Sequence, residues 1–245
     1  MYKLVFASMI MLAILSACSK ENISFGKFLD DQESICLFSK DACTTATDAY
    51  IFPKNWTGED ISNFEKLPEE TFSSMSTCGL VITLLEHPKN RMLGPFGMEF
   101  SDSSLPGVTM FNNYVRNNKV TSELFQRDDC FSLLASRYQI VIEENREISG
   151  QILYLEMLLS SDMCMSVMNK KEKYLLMEMA LQRKEHKNSR SSCTPHIMIS
   201  IMRSCNYKPF IDDVYPKLVE GTWGYSNLDS FDIKKYAKQF LNDRK

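Results

Sequence analysis

The side chains able to do chemistry in this sequence are few, and sulfur dominates them. Cys193-x-x-His196 puts a thiol and an imidazole at the start of an apolar run. A helix N-terminus there would lower the thiol pKa. The same pair is half of a zinc site, but zinc wants four ligands in paired spacing, and nothing beyond His186 offers the other half. Cys78 and His87 lie on one predicted helix at a separation of roughly 13 Å by rise, too far for a Cys/His dyad. Met163-Cys164-Met165-x-x-Met168 offers sulfurs to a soft metal such as copper(I). Methionine occurs 15 times in the chain, however, and Met165 and Met168 are what a core helix presents. Asp128-Asp129 and Asp212-Asp213 could act as acid/base pairs, although Asp clusters ahead of helices read as caps. No Gly-rich phosphate loop, Gly-x-Ser-x-Gly elbow or His-Glu-x-x-His occurs. The expectation is a chain with no cofactor, no metal and no catalytic residues, more a binding protein than an enzyme.

Cysteine has another use at the N-terminus. Lys3 is followed by an apolar run from Leu4 to Leu15 and then by Leu15-Ser16-Ala17-Cys18. A positive start, a short apolar run and small residues before a cut make a secretion signal. The run is shorter than the roughly 20 residues that span a bilayer. Residues 1–17 are therefore read as a signal peptide. The Leu-Ser-Ala-Cys ending resembles the lipobox of bacterial lipoproteins. That resemblance implies a diacylglycerol thioether on Cys18, cleavage before it, and usually an acyl chain on the new amine. By the same resemblance Ser19 implies delivery to the outer membrane, and Lys20-Glu21 is similar to the surface-export signals of Bacteroidota lipoproteins. Two or three acyl chains hold a protein stably on a membrane, where one alone binds marginally.

An exported chain lives where disulfides persist. Beyond Cys18 there are Cys36, Cys43, Cys78, Cys130, Cys164, Cys193 and Cys205, an odd number, so at least one stays unbridged within the chain. Cys36 and Cys43 are the expected local bridge, in a Ser/Lys/Asp/Thr-rich stretch. Cys193 and Cys205 are not expected to pair, because a helix between them would hold them roughly 18 Å apart. Cys164, among apolar residues, reads as a buried and inert thiol. Loss of Lys3 with the signal takes the formal charge from −3 to −4, which gives no case for a nucleic-acid partner.

These residues must be positioned by helices, because apolar spacing is helical almost throughout and no run alternates like a strand. Residues 18–55 are acidic with little periodicity, and read as a lipidated N-terminus and tether. The helical domain is placed at 56–245. Thr57-Gly-Glu-Asp60 resembles a capping box before Ile61, Phe64 and Leu67. A second helix opens at Pro68 and carries Phe72, Met75, Cys78, Val81 and Leu85 to a stop at Pro88. Lys89–Pro106 is loop, and helical spacing resumes through 108–115 and Leu124–Ile142. Ile148–Leu159 is apolar nearly all round, as suits a helix buried inside a stack. Lys170–Lys187 shows a stripe of Tyr174, Met177 and Leu181. The stretch 170–190 has seven Lys/Arg against three Glu, which reads as a solvated outer face. Pro195 suits the first turn of the next helix. Two short helices, near Pro209–Leu218 and Ser230–Asn242, flank a loop containing Trp223 and Tyr225.

Residues 124–134 echo residues 158–168 at an offset of 34, with Asp, Cys and Ser identical. A period in this range suggests stacked helix pairs. The fold expected is all-α: stacked helix pairs, either a HEAT-like α-solenoid or an irregular helical array. The helix at Met75–Val81, the segment 156–162 and the Lys-rich helix after it are similar to elements of helix-rich Bacteroidota lipoproteins. That resemblance implies helical architecture and no particular activity. The function expected is an envelope-anchored lipoprotein, membrane-bound through its lipid and binding or scaffolding a protein partner. The alternatives are an immunity or inhibitor lipoprotein, or an envelope hydrolase with its site assembled across helices.

Overall fold

The computed structural model describes residues 43, 45–91, 118–147, 149–185, 193–220 and 232–244, all within one compact unit, Phe38–Lys245. The signal segment, Cys18, Cys36, the helix expected at 108–115 and the Trp223 loop lie outside the described residues. The described residues form an all-α protein without a strand.

Helix α1 (Gly58–Glu65) begins as its sequence demands. The Thr57 amide donates to Asp60 Oδ2 at 2.6 Å, and the Asp60 amide donates back to Thr57 Oγ1 at 3.3 Å. This reciprocal pair satisfies amides that a helix start leaves orphaned. The helix expected from Pro68 to Pro88 is broken into α2 (Glu69–Ser73) and α3 (Thr77–Glu86). The break has a local cause: Ser76 is extended (φ −64°, ψ 158°) and its Oγ accepts from the Gly79 amide at 3.0 Å. Serine side chains compete in this way with the helical ladder. Pro88 does not end helical structure but opens the short α4 (Pro88–Arg91), and Asn90 Nδ2 donates to the Leu84 carbonyl at the end of α3.

Asn118 caps α5 (Lys119–Leu124) by accepting from the Val120 and Thr121 amides. Two longer hairpins follow. The first is α6 (Cys130–Glu143) with α7 (Gly150–Ser160), and the second is α9 (Lys170–Glu185) with α10 (Thr194–Ser204). Between them Ser161 ends α7 and caps the short α8 (Asp162–Val167), its Oγ accepting from the Cys164 amide at 3.2 Å. α6 and α10 stop the same way. Asn145 (φ 45°) and Asn206 (φ 49°) turn left-handed, and the next amides, Arg146 and Tyr207, bond back to Val141 and Met202. This is the Schellman stop, with asparagine where glycine is commonest.

The hairpins stack: α6 packs on α9, and α7 on α10. At one end α3 covers both α6 and α7. At the other, α13 (Ile233–Asn242) covers both α9 and α10, burying Ile233, Ala237 and Phe240. Lys170 opens α9 forty residues after Cys130 opens α6, and Thr194 opens α10 forty-four after Gly150 opens α7. The repeat in space is thus of HEAT-like length. The 34-residue echo is not that repeat, because Cys130 starts a long helix while Cys164 lies in the six-residue α8. The expected helix 209–218 is split at Val214 into α11 (Lys208–Asp213) and α12 (Tyr215–Glu220).

α9 departs from its expected role as an outer helix. It touches α6, α10 and α13, and buries Leu176, Met179, Ala180 and Arg183 besides the Tyr174–Met177–Leu181 stripe. Only its ends present lysines to water as a solvated face would.

The body also begins earlier than residue 56. Cys43 forms a disulfide with Cys78 of α3. Asp48 accepts from the Ser76 amide at 2.6 Å and from Ser76 Oγ at 3.0 Å, and the Tyr50 amide donates to Thr83 Oγ1 at 2.9 Å. Tyr50 and Phe52 then pack on Phe64, with ring centroids 4.9 Å apart in each pair, and Phe52 reaches His87 at 5.0 Å. Cys43 and residues 45–52 are therefore fastened along α3, and with the exposed residues 53–56 that follow they make a strap. Gly79 leaves room for the Asp48 carboxylate: a Cβ there would sit 2.6 Å from Asp48 Oδ1 and push it aside.

Candidate functional site

The densest chemistry in the described residues is a charge cluster enclosed between the stacked hairpins. Each of its members comes from a different helix: Tyr138 from α6, Glu156 from α7, Arg183 from α9 and Thr194 from α10. All four are fully buried. Glu156 Oε1 accepts from Tyr138 Oη at 3.3 Å and from Thr194 Oγ1 at 3.1 Å, and Glu156 Oε2 accepts from the Cys193 amide at 2.6 Å. The last bond satisfies an amide at the start of α10 and puts negative charge at the positive end of its dipole. Arg183 Nε lies 3.8 Å from Glu156 Oε1, and Arg183 Nη2 donates to the Arg146 carbonyl at 3.0 Å, just past the end of α6.

Burial pushes the Glu156 carboxyl up to about 7, against the pull of Arg183 and of the three hydrogen-bond donors. Burial likewise holds the Tyr138 phenol well above its ordinary range, with the Glu156 charge adding to the effect. A carboxyl poised near neutrality beside an arginine is the kind of group that catalysis uses. Here no member reaches solvent, and the cluster ties together side chains of four helices. Breaking such a pair leaves an uncompensated buried charge, which costs about 3–5 kcal/mol.

Residue type and spacing alone do not single out these four side chains. Glu156 carried the available signal, as the one charge in a helix read as apolar all round, which must find a partner when buried. Arg183 carried none, since it stands among exposed-looking lysines.

The residues singled out by type take separate places in the fold, apart from Cys130, whose charge acts on the Cys164 thiol. Cys78 is oxidised, and His87 is buried against Phe52 and Phe64. Cys193 is buried at the N-cap of α10. His196 Nδ1 is also buried, and loss of water pulls the imidazole down to about 4. Cys164 is fully buried with its thiol held well above the ordinary range by burial first, while Met165 and Met168 are core residues. Burial pushes the Cys130 thiol up to about 12. Asp129 does not cap α6 with its side chain; its Oδ1 accepts from Thr77 Oγ1 at 2.6 Å, tying the start of α6 to that of α3. Asp213 pairs with Lys217 at 2.6 Å and accepts from Tyr236 Oη. No group of three or more His, Cys, Asp or Glu side chains suited to a metal ion occurs among the described residues.

The disulfide differs from the expected one. Cys43 pairs with Cys78, 35 residues on, and not with Cys36. The strap brings Cys43 to the first turn of α3, with Cα atoms 4.9 Å apart, inside the range a bridge requires. Cys130, Cys164, Cys193 and Cys205 are not bridged, so the absence of a Cys193–Cys205 bond agrees with the helix between them.

The fold and this site define a class, an all-α protein of stacked helix hairpins closed at each end by a further helix. The chain matches no family model, no curated protein and no solved structure.

Proposed function

We propose that this protein is an envelope lipoprotein, anchored through Cys18, whose stacked helices bind or scaffold another protein without catalysing a reaction. The observation that carries the reading is the Cys43–Cys78 disulfide, built into the strap that follows the predicted tether. Cytosolic thiols are kept reduced, whereas exported proteins keep such bonds. The bridge therefore agrees with the secretion signal and lipobox in compartment. The reading of a binding domain is supported by stacked hairpins, which expose extended faces suited to a macromolecule. The formal charge of −4 after signal removal favours a protein partner over nucleic acid. Ser19 directs the anchored protein to the outer membrane in this reading.

The test is metabolic labelling with palmitate in a bacterial host, followed by envelope fractionation. The parent should be labelled and pellet with the membranes. Cys18→Ala should lose the label and leave the membrane fraction, because the lipid is attached through that thiol. Labelling that survives the substitution would refute the anchor.

A further inference from the structure

We infer that the outward side of the strap, Ile51, Pro53, Lys54 and Trp56, rests on the lipid surface when the protein is anchored; the inference rests on the lipoprotein reading above. Tyr50 and Phe52 turn inward onto Phe64, so in this extended segment the alternate residues Ile51 and Pro53 turn outward. Ile51 is 74% exposed and Trp56 37%, and the remaining large exposed apolar residue among the described ones is Val167 of α8. Apolar residues scattered singly on a surface need no explanation. Here two lie within six positions, with exposed Pro53 between them and Lys54 as the sole charge in Tyr50–Gly58. Tryptophan and lysine are the residues that settle at the headgroup level of a bilayer.

The covalent layout puts the membrane within reach and makes it the occupant we commit to. The anchor at Cys18 is joined to the body by residues 19–42, and the chain is fastened to α3 at Cys43. From there the strap follows α3 from Cys78 to His87, roughly 13 Å of helix. The exposed face thus lies close to the point at which the tether is fastened. The tether extends to roughly 80 Å at most, so it permits contact with the bilayer without enforcing it. The contact is mainly apolar, so salt should release it little.

The experiment uses the full-length protein, lipidated in a bacterial host, in a Trp223→Phe background so that Trp56 alone reports. It is reconstituted into vesicles of phosphatidylethanolamine and phosphatidylglycerol, with and without brominated acyl chains. The expected result is a blue-shifted Trp56 emission that brominated lipid quenches. Adding Ile51→Ser and Lys54→Ser should abolish most of the quenching while helical circular dichroism is unchanged. Protein that floats with the vesicles but shows unshifted, unquenched Trp56 emission overturns the inference and leaves the anchor standing. An emission shift that grows with protein density and ignores brominated lipid also overturns it, in favour of a second copy as occupant. An N-terminal peptide without lipid on Cys18 overturns the anchor itself, and is read separately by mass in the same preparation.

Discussion

Replacing Arg183 by methionine should make the stability of this protein depend on pH in a way set by Glu156. Methionine keeps much of the apolar stem but removes the cation 3.8 Å from Glu156 Oε1 and the bond from Nη2 to the Arg146 carbonyl. In the parent the Glu156 carboxyl sits at about 7, against 4.5 for an ordinary glutamate. A raised carboxyl pKa means that the folded state holds a proton the unfolded chain has lost. Stability from this group is therefore full below about 4.5 and falls as pH rises to about 7, by roughly 3 kcal/mol in all. Glu178, also raised to about 7 by burial, has the same sign; His196, lowered to about 4, has the opposite sign between about 4 and 6.5. These two are shared by parent and variant and cancel in the comparison. At pH 5 Glu156 is protonated in both proteins, so Arg183→Met loses only a hydrogen bond and some packing, about 1–2 kcal/mol. At pH 8 the parent holds an ion pair while the variant must keep its carboxyl protonated, one pH unit above the parent value of about 7, so the loss should grow by about 1.4 kcal/mol, to about 2.5–3.5 kcal/mol. Urea unfolding at the two pH values, repeated in a Glu156→Gln background, reads this directly. In that background the loss from Arg183→Met should be the same at both. An equal loss at pH 5 and pH 8 with Glu156 present would refute the assignment of Arg183 as its counter-charge.

Other perturbations test other joints. Cys43→Ser/Cys78→Ser should lower stability by about 4 kcal/mol, the loop-entropy value for a bridge spanning 35 residues, and reductant should do the same to the parent but nothing to the variant. Gly79→Ala should destabilise by about 1 kcal/mol or more in urea unfolding, because its Cβ displaces Asp48 from the Ser76 amide. In an Asp48→Ala background the same change should be neutral or stabilising by up to about 1 kcal/mol, since alanine is the better helix former. Cys164 should resist a thiol probe in the folded protein and react only on unfolding, and Cys164→Ala should cost on the order of 1 kcal/mol. Rapid labelling of Cys164 would contradict its place in the core.

The helices were legible in sequence wherever one residue's local chemistry decided the matter. Thr57 and Asp60 announce the start of α1, Pro195 the start of α10, and the apolar run around Leu155 the burial of α7. What escaped depended on partners distant in sequence. The break between α2 and α3 is held by Asp48, 28 residues away, as well as by Ser76 itself. The burial of Arg183 depends on Glu156 and on the Arg146 carbonyl, both on other elements. The bridge was assigned to the nearest cysteine, Cys36, because nothing local shows that the chain doubles back to bring Cys43 to α3. The stacking was legible as a pattern of helices but its period was not. Irregular connections such as α8 shift the register between hairpins, so the strongest sequence echo falls on segments that are not equivalent in space.

The proposal that this is a lipid-anchored envelope protein meets its most direct test in the mass of the N-terminal peptide from membrane-purified protein. The expected peptide begins at Cys18, with a diacylglyceryl thioether and an acylated amine. A membrane-derived protein whose N-terminal peptide begins at Met1, or begins at Cys18 with an unmodified thiol, would contradict it.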